Sequence, residues 1–484
     1  MVSFVILILG FFGDYMRVNK LAVICAILSC MIGVMFAVDT EDRGKLDQYQ
    51  EELEERDWDA LRQYLRSRRE DEKAESKSAL LISGDVRADW RNKHEVFRKE
   101  NLLGGTAVDP FGVRRGSNKF DIEANLRLDY DLDKSWAVIQ WQYDNKAGID
   151  DETNCVESNF LGDRTCYCRE MFGSGSCGGL CLKQAFFGYN LYKCGETEFD
   201  IEIGRRNLYH VFDSKVQFLS RFDGVLLSYG GSEKKVMDYY FRLAAFVVDY
   251  KVSHFAWVTE IGVLNIYDSG FDFKYSFIDW RKNGVNRCSS RIENCQKEID
   301  CKDDCGGKCK HHCGHKVKCG IHTPPGTDFM ISQWTAAYEI RKDTTCIKQP
   351  MRIFGAFLYN HNDPDPKCFV SAQNKAWYIG YRIGEVRKEN DWAFQAMYQW
   401  VEALSIPDLD MSGIGNGNTL DGLILTDGFG NTNFKGWRFD GLYAFTDEIS
   451  INARCEWSTQ ISRKLYNGGL HYYRQIKVEL IYAF

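Results

Sequence analysis

Seven cysteines, Cys288, Cys295, Cys301, Cys305, Cys309, Cys313 and Cys319, fall within residues 282–327, interleaved with His311, His312 and His315. Cys301, Cys305, Cys309 and Cys313 are each separated by three residues. That lies within the C-x2–4-C spacing of zinc sites. A second group, Cys155, Cys166, Cys168, Cys177 and Cys181, falls within 146–181. Thiols so grouped either bind a soft metal or oxidise to disulfides, and the compartment decides which. Asp408-Leu409-Asp410-Met411-Ser412-Gly413 opens like a calcium loop, but its twelfth position is Thr419 rather than Glu. There is no Walker loop, G-x-S-x-G or H-E-x-x-H. The chain is therefore read as a non-enzyme with no cofactor and no metal site.

The amino terminus indicates the compartment. Apolar runs Val2–Phe12 and Leu21–Phe36 flank Gly13-Asp14. From Met16, the order Arg17, Lys20, a long apolar stretch and then Ala37 follows the layout of an export signal. Residues 1–37 are thus expected to be a signal peptide, with Met16 as an alternative start and an uncleaved anchor as the alternative role. Outside the cytoplasm, disulfides are favoured over zinc, and closing a long loop contributes on the order of 3 kcal/mol per bridge. Odd counts of five and seven leave one cysteine of each loop to pair across or with a neighbouring envelope protein. Cys194 and Cys346 fall in expected short turns and are a further candidate pair, while Cys455 sits at a lipid-facing position.

Composition excludes other classes. The chain has 484 residues, 44% hydrophobic and 14% aromatic, which rules out disorder. Its 61 Lys plus Arg against 68 Asp plus Glu give a net charge of −7, so no nucleic-acid partner is expected. Residues 38–78 are charge-dense and lack proline. Leu46, Leu53 and Ala60 are seven apart, with Tyr49, Leu61, Tyr64 and Leu65 near the same stripe, predicting a periplasmic amphipathic helix or short coiled coil.

From Ala79 the period becomes two. In Phe120–Tyr130, Phe120, Ile122, Ala124, Leu126, Leu128 and Tyr130 share one face, and Asp121, Glu123, Asn125, Arg127 and Asp129 the other. Sixteen such segments are marked: 79–90, 118–131, 135–145, 182–192, 197–205, 217–229, 238–250, 255–266, 269–281, 328–340, 349–362, 374–386, 391–404, 433–447, 448–459 and 470–484. Many exceed the usual soluble strand of about five or six residues. Aromatics such as Trp90, Tyr130, Tyr143, Trp400 and Tyr482 gather at their ends. Tight links such as Leu132-Asp133-Lys134 alternate with long loops at 91–117, 146–181, 282–327 and 405–432. This pattern predicts an all-β fold: an antiparallel up-and-down transmembrane barrel over 79–484, the cysteine-rich loops 146–181 and 282–327 lying outside. Only a closed barrel satisfies every backbone group within lipid, and about sixteen strands enclose an aqueous lumen.

Leu81-Ile82-Ser83-Gly84-Asp85-Val86-Arg87 resembles the first-strand G-D-x-R of the bacterial outer-membrane putative porin family. Ile203-Gly204-Arg205-Arg206 followed by Phe222-Asp223-Gly224-Val225 is similar to the G-R and D-G pair around the third loop of many porins. Leu480, Tyr482 and Phe484 resemble the terminal signal read by the barrel-assembly machinery. The cysteine-rich loops depart from that family and resemble the disulfide-dependent envelopes of chlamydia-like bacteria.

The resemblance implies a bacterial outer-membrane location, contact with outer-membrane lipids, passive passage of small hydrophilic solutes and ions, and a homotrimer. It also implies an inward-folded third loop, here about 206–216. That loop carries Arg206, Tyr209, His210, Asp213 and Lys215, with Arg205 at its start. Wall charges expected around the pore are Arg87, Arg127, Arg382, Arg438, Arg454 and Lys477 against Asp85, Asp121, Glu123, Glu202, Asp440 and Glu479. Opposite signs across a constriction orient passing solutes. The competing expectation is a structural or adhesive cysteine-rich envelope protein anchored by the barrel.

Overall fold

The computed structural model describes residues 60–61, 64–65, 80–98, 113–147, 153–157, 164–168, 180–233, 236–249, 254–280, 329–340, 349–362, 373–407, 410–414, 432–462 and 470–484. All belong to one compact unit, Asp42–Phe484. The expected signal peptide, most of 38–78 and the loop 282–327 with its cysteines lie outside the described residues, as do Cys177 and Cys346.

The strands in chain order are β1 (Leu80–Arg98), β2 (Val113–Asp131), β3 (Ser135–Ala147), β4 (Thr153–Glu157), β5 (Arg164–Cys168), β6 (Leu180–Cys194), β7 (Thr197–Asn207), β8 (Arg221–Glu233), β9 (Met237–Asp249), β10 (His254–Leu264), β11 (Phe271–Trp280), β12 (Phe329–Ile340), β13 (Met351–Asn360), β14 (Lys375–Glu385), β15 (Trp392–Val401), β16 (Phe434–Ala444), β17 (Ile449–Gln460) and β18 (Leu470–Ala483). Sixteen of them form a closed antiparallel barrel in which each pairs with its neighbour and β18 returns to β1. β4 and β5 form a separate ribbon within the loop 146–181, with Cys155 opposite Cys166 in its backbone register.

Every expected strand has a counterpart, but the bounds of some loops differ from expectation. The β1–β2 ladder continues unbroken from Leu80 opposite Tyr130 to Phe97 opposite Val113, so the first loop is 99–112 rather than 91–117. β8 begins at Arg221, so the third loop is 208–220 rather than 206–216.

The chain end closes the cylinder. Phe484 and Gly84 exchange both backbone hydrogen bonds, at 2.8 and 2.9 Å. A Cβ on Gly84 would lie 2.9 Å from the Phe484 ring and 2.4 Å from the Asn125 carbonyl, so only glycine fits beneath this aromatic lid. Leu480, Tyr482 and Phe484 all face outward at that seam.

Period two sends apolar side chains outward around the circumference. Ile82, Ile122, Phe187, Phe241, Ile261, Ile353 and Ile379 are all exposed on this surface. An apolar band of that extent suits lipid rather than water. Aromatics rim it at both ends. Toward the long loops, Trp377 stacks on Trp400 (6.3 Å between centroids, 8° between planes). Tyr398 meets Trp437 at 5.0 Å, and Phe439 meets Trp457 at 5.2 Å. Toward the short turns, Tyr443 meets Phe445 at 5.1 Å and Tyr482 meets Phe484 at 6.2 Å. Cys455 lies on this outer surface, in register between Phe439 and Ile476. No described helix is long and apolar enough to cross a membrane.

Candidate functional site

The inner wall is not uniform. Across β16, β17, β18, β1 and β2 it carries a lattice of opposite charges. Arg438 meets Glu456 at 2.9 Å, and Arg454 meets Asp440 at 2.6 Å. Lys477 bridges Glu479 (2.7 Å) and Asp89 (3.0 Å), and Arg91 also reaches Asp89 at 2.8 Å. Arg87 pairs with Asp85. Asn452 donates to Glu479 at 2.6 Å, and Asn125 donates to both Glu123 (2.6 Å) and Asp85 (3.2 Å). Alternation makes this possible, because residues two apart point the same way and adjacent strands bring the opposite sign alongside.

The wall from β8 to β15 differs. At its inward positions stand Phe222, Leu226, Phe246, Val258, Ile278, Trp280, Ile331, Leu358 and Met397, all buried. These strands read as near-continuous apolar runs, such as Leu243-Ala244-Ala245-Phe246-Val247-Val248, because one face meets lipid and the other is covered from within. Polar residues such as Glu260, Gln333, Arg382 and Gln395 interleave with them, so the expectation of a wholly polar lumen is corrected to a mixed wall over this half.

The cover is the third loop. Leu208, Val211, Phe212, Val216 and Phe218 of 208–220 join the same apolar cluster. Polar ties pin the loop to the wall. Lys274 grips the Asp213 carboxylate at 2.7 Å, and Gln333 donates to the Asp213 carbonyl at 2.6 Å. Arg242 donates to the Val211 carbonyl. Glu260 accepts the Tyr240 hydroxyl at 2.8 Å and the Asp213 backbone N–H at 3.3 Å.

A second strand-to-strand loop locks the first. Asp410, between β15 and β16, accepts the backbone N–H groups of Phe218 and Ser220, each at 3.1 Å. The Ser412 N–H donates to the Val216 carbonyl at 2.9 Å. Gln399 on β15 donates to the Lys215 carbonyl at 3.2 Å and accepts the Ile414 N–H at 3.0 Å. Asp410 is thus a loop clamp, although the sequence presented it as part of a calcium-like string. At the outer end of β15, Glu402 accepts the Lys375 N–H at 3.0 Å, and burial raises its carboxyl above the ordinary value.

Among the expected pore residues, Arg87, Glu123, Arg382, Arg438 and Arg454 face inward and are buried. Glu202 pairs with Arg206 on the inner face of β7, and Arg206 lies 4.6 Å over the Phe186 ring. Arg127 faces inward near the short turns and pairs with Asp129 at 2.7 Å. The Tyr209 and His210 rings lie 4.2 Å apart, tilted by 58°, and His210 lies 3.0 Å from the Gln184 amide. Asp213 and Lys215 sit on the inserted loop. Arg205 departs from expectation. It alternates outward with Ile201 and Ile203 and forms a two-pronged pair with Asp223 on the outer surface, both bonds at 2.7 Å. One position of shift along a strand reverses the face.

Sequence reasoning overlooked Lys183, which lies 3.7 Å from Glu123, and Arg242, Glu260, Lys274 and Gln333. The available signal was a polar residue at an inward position of a largely apolar segment, as at Arg242 within Tyr239–Phe246. Cys181 and Cys194 form no disulfide, and the remaining disulfide candidates lie in segments whose side chains are outside the described residues.

No protein-family model matches the chain, and a comparison with curated proteins gives no match. Among solved structures, the chain is similar to OprB of Pseudomonas putida at high pH, with 8% identity and a TM-score of 0.44, covering 84% of this chain and 94% of that one. It is also similar to Salmonella typhi OmpF in complex with daunomycin, at 12% identity and TM-score 0.41, covering 84% and 97%. A triple mutant of the Rhodopseudomonas blastica porin matches at 8% identity and TM-score 0.36, covering 84% and 100%.

Proposed function

We propose that the protein is a bacterial outer-membrane diffusion channel for small hydrophilic solutes and ions. The observation that carries this reading is the closed sixteen-strand cylinder whose outside is apolar and aromatic while half its inside is charged. So dense a set of ion pairs on an inner wall is costly to desolvate in a packed core, and it suits a polar passage through a sixteen-strand cylinder. The inserted loop confines that passage to the charged side, so solutes run along the lattice of Arg87, Arg438 and Arg454 with its acidic partners. Charges of both signs along a passage favour polar solutes over apolar ones.

On this reading Leu480, Tyr482 and Phe484 present the signal to the barrel-assembly machinery, the barrel assembles as a trimer, and the cysteine-rich loops are disulfide-stapled on the outer side. Planar-bilayer recording of refolded full-length protein tests the central claim. Stepwise single-channel currents are expected. Silence from protein that still shows a heat-dependent gel shift favours an anchor for the cysteine-rich loops instead.

A further inference from the structure

We infer that the chain just ahead of the barrel seats as a plug in the mouth on the short-turn side. Ala60, Leu61, Tyr64 and Leu65 have helical backbone. Their spacing of four brings Ala60 beside Tyr64 and Leu61 beside Leu65 on one helix face. The first three are fully buried and Leu65 is 7% exposed.

The surface they meet belongs to the barrel interior. These four residues form one apolar cluster with Val386, Ala393, Leu442, Ala444, Ile481 and Ala483. Apart from Val386, the wall members occupy inward positions at the short-turn ends of β15, β16 and β18. The charge lattice ends one step away, at Asp440 and Glu479 on the same faces. A mouth built only to hold water would continue that lattice, whereas this one turns apolar where the segment lies. The polar end is satisfied as well, since the Tyr64 hydroxyl donates to the Asp447 carbonyl at 2.9 Å, in the β16–β17 turn.

The occupant is therefore a segment of this chain. The described contact includes four apolar side chains and the Tyr64 hydrogen bond. Seated, the plug narrows the passage; released, it opens the mouth on that side. The gating role rests on the channel reading above, while the docking contact does not.

Two measurements on the refolded full-length protein separate these. A photoreactive phenylalanine analogue placed at Tyr64 is expected to capture the peptide containing Asp447, and failure to do so overturns the docking. The double substitution Leu61→Glu with Tyr64→Glu lies outside every barrel strand, so heat-dependent mobility is expected to persist. Its single-channel conductance is expected to rise at least about twofold, because a wider mouth lowers the series resistance of the pore. Unchanged conductance overturns the plug. Silence of both proteins with a retained cross-link overturns the channel reading and the gate together, and leaves the segment as an anchor.

Discussion

The two halves of the inner wall solve the same problem in opposite ways. From β16 round to β2, side chains that point inward meet one another, and the wall is held by paired charge: Arg454 with Asp440, Arg438 with Glu456. From β8 to β15, inward side chains meet the chain's own loop, and the wall is held by burial: Phe246 lies 5.4 Å from Phe222 and 5.9 Å from Trp280. The same cylinder thus contains a half held by ion pairs and a half held by apolar burial. Where the chain doubles back inside a barrel, the inner face obeys the rules of a soluble core. Where it does not, alternation of polar and apolar residues survives.

The sharpest way to break this contrast is to put one charge into each half. Phe246→Asp places a carboxylate among Phe222, Trp280 and the inserted loop with no partner, and is expected to cost at least about 4 kcal/mol. Ser83→Asp places the same group on the charged side, opposite Arg127 in register, where a loss of about 1 kcal/mol or less is expected. Denaturant midpoints read from the heat-shifted gel band compare the two. Equal losses would mean that the halves do not differ in solvent access.

Much of this architecture was legible beforehand, and the illegible part has one cause. Strands such as 448–459 were readable because Ile449, Ile451, Ala453, Cys455 and Trp457 alternate with Ser450, Asn452, Arg454 and Glu456, and alternation is a local property. The clamp of Asp410 on Phe218 and Ser220 joins residues about 190 apart, and nothing local announces it. Arg205 was misplaced for a related reason: at the end of a strand the adjacent Arg206 has the same chemistry and only the register separates them. The apolar inner half was hidden because apolar residues on both faces read the same whether the cover is lipid, a loop or a second sheet.

A smaller effect is expected from the charge lattice. Arg454→Ala leaves the buried Asp440 carboxylate without its closest cation and is expected to cost about 1–3 kcal/mol, tempered by water in the lumen. It also removes a positive charge from the passage, so the reversal potential under a salt gradient should move toward cation preference. Adding Asp440→Ala should restore most of both, since the pair then disappears together. If the double variant behaves as the sum of the two singles, the pair is not coupled and the lattice is merely a row of independent wet charges.

The smallest effect belongs to the seam between the two solutions, where the loop that fills the apolar half is fastened. Asp410→Asn keeps the shape of the clamp but exchanges a charged acceptor for a neutral one. It also leaves a single amide oxygen for two backbone donors that now have one carboxylate oxygen each. The local loss is expected to be about 1 kcal/mol, with the barrel itself unaffected. Opening of the loop should then become several-fold more frequent, read as faster amide exchange at Phe218 and Ser220 while the strand amides of β17 keep their protection. Unaltered exchange at those two amides would assign the hold on the loop to Lys274, Arg242, Gln333 and Glu260 together with the Gln399 and Ser412 contacts. In that case the Asp410 carboxylate would merely rest on the loop, and the wall and the remaining backbone ties would fix it.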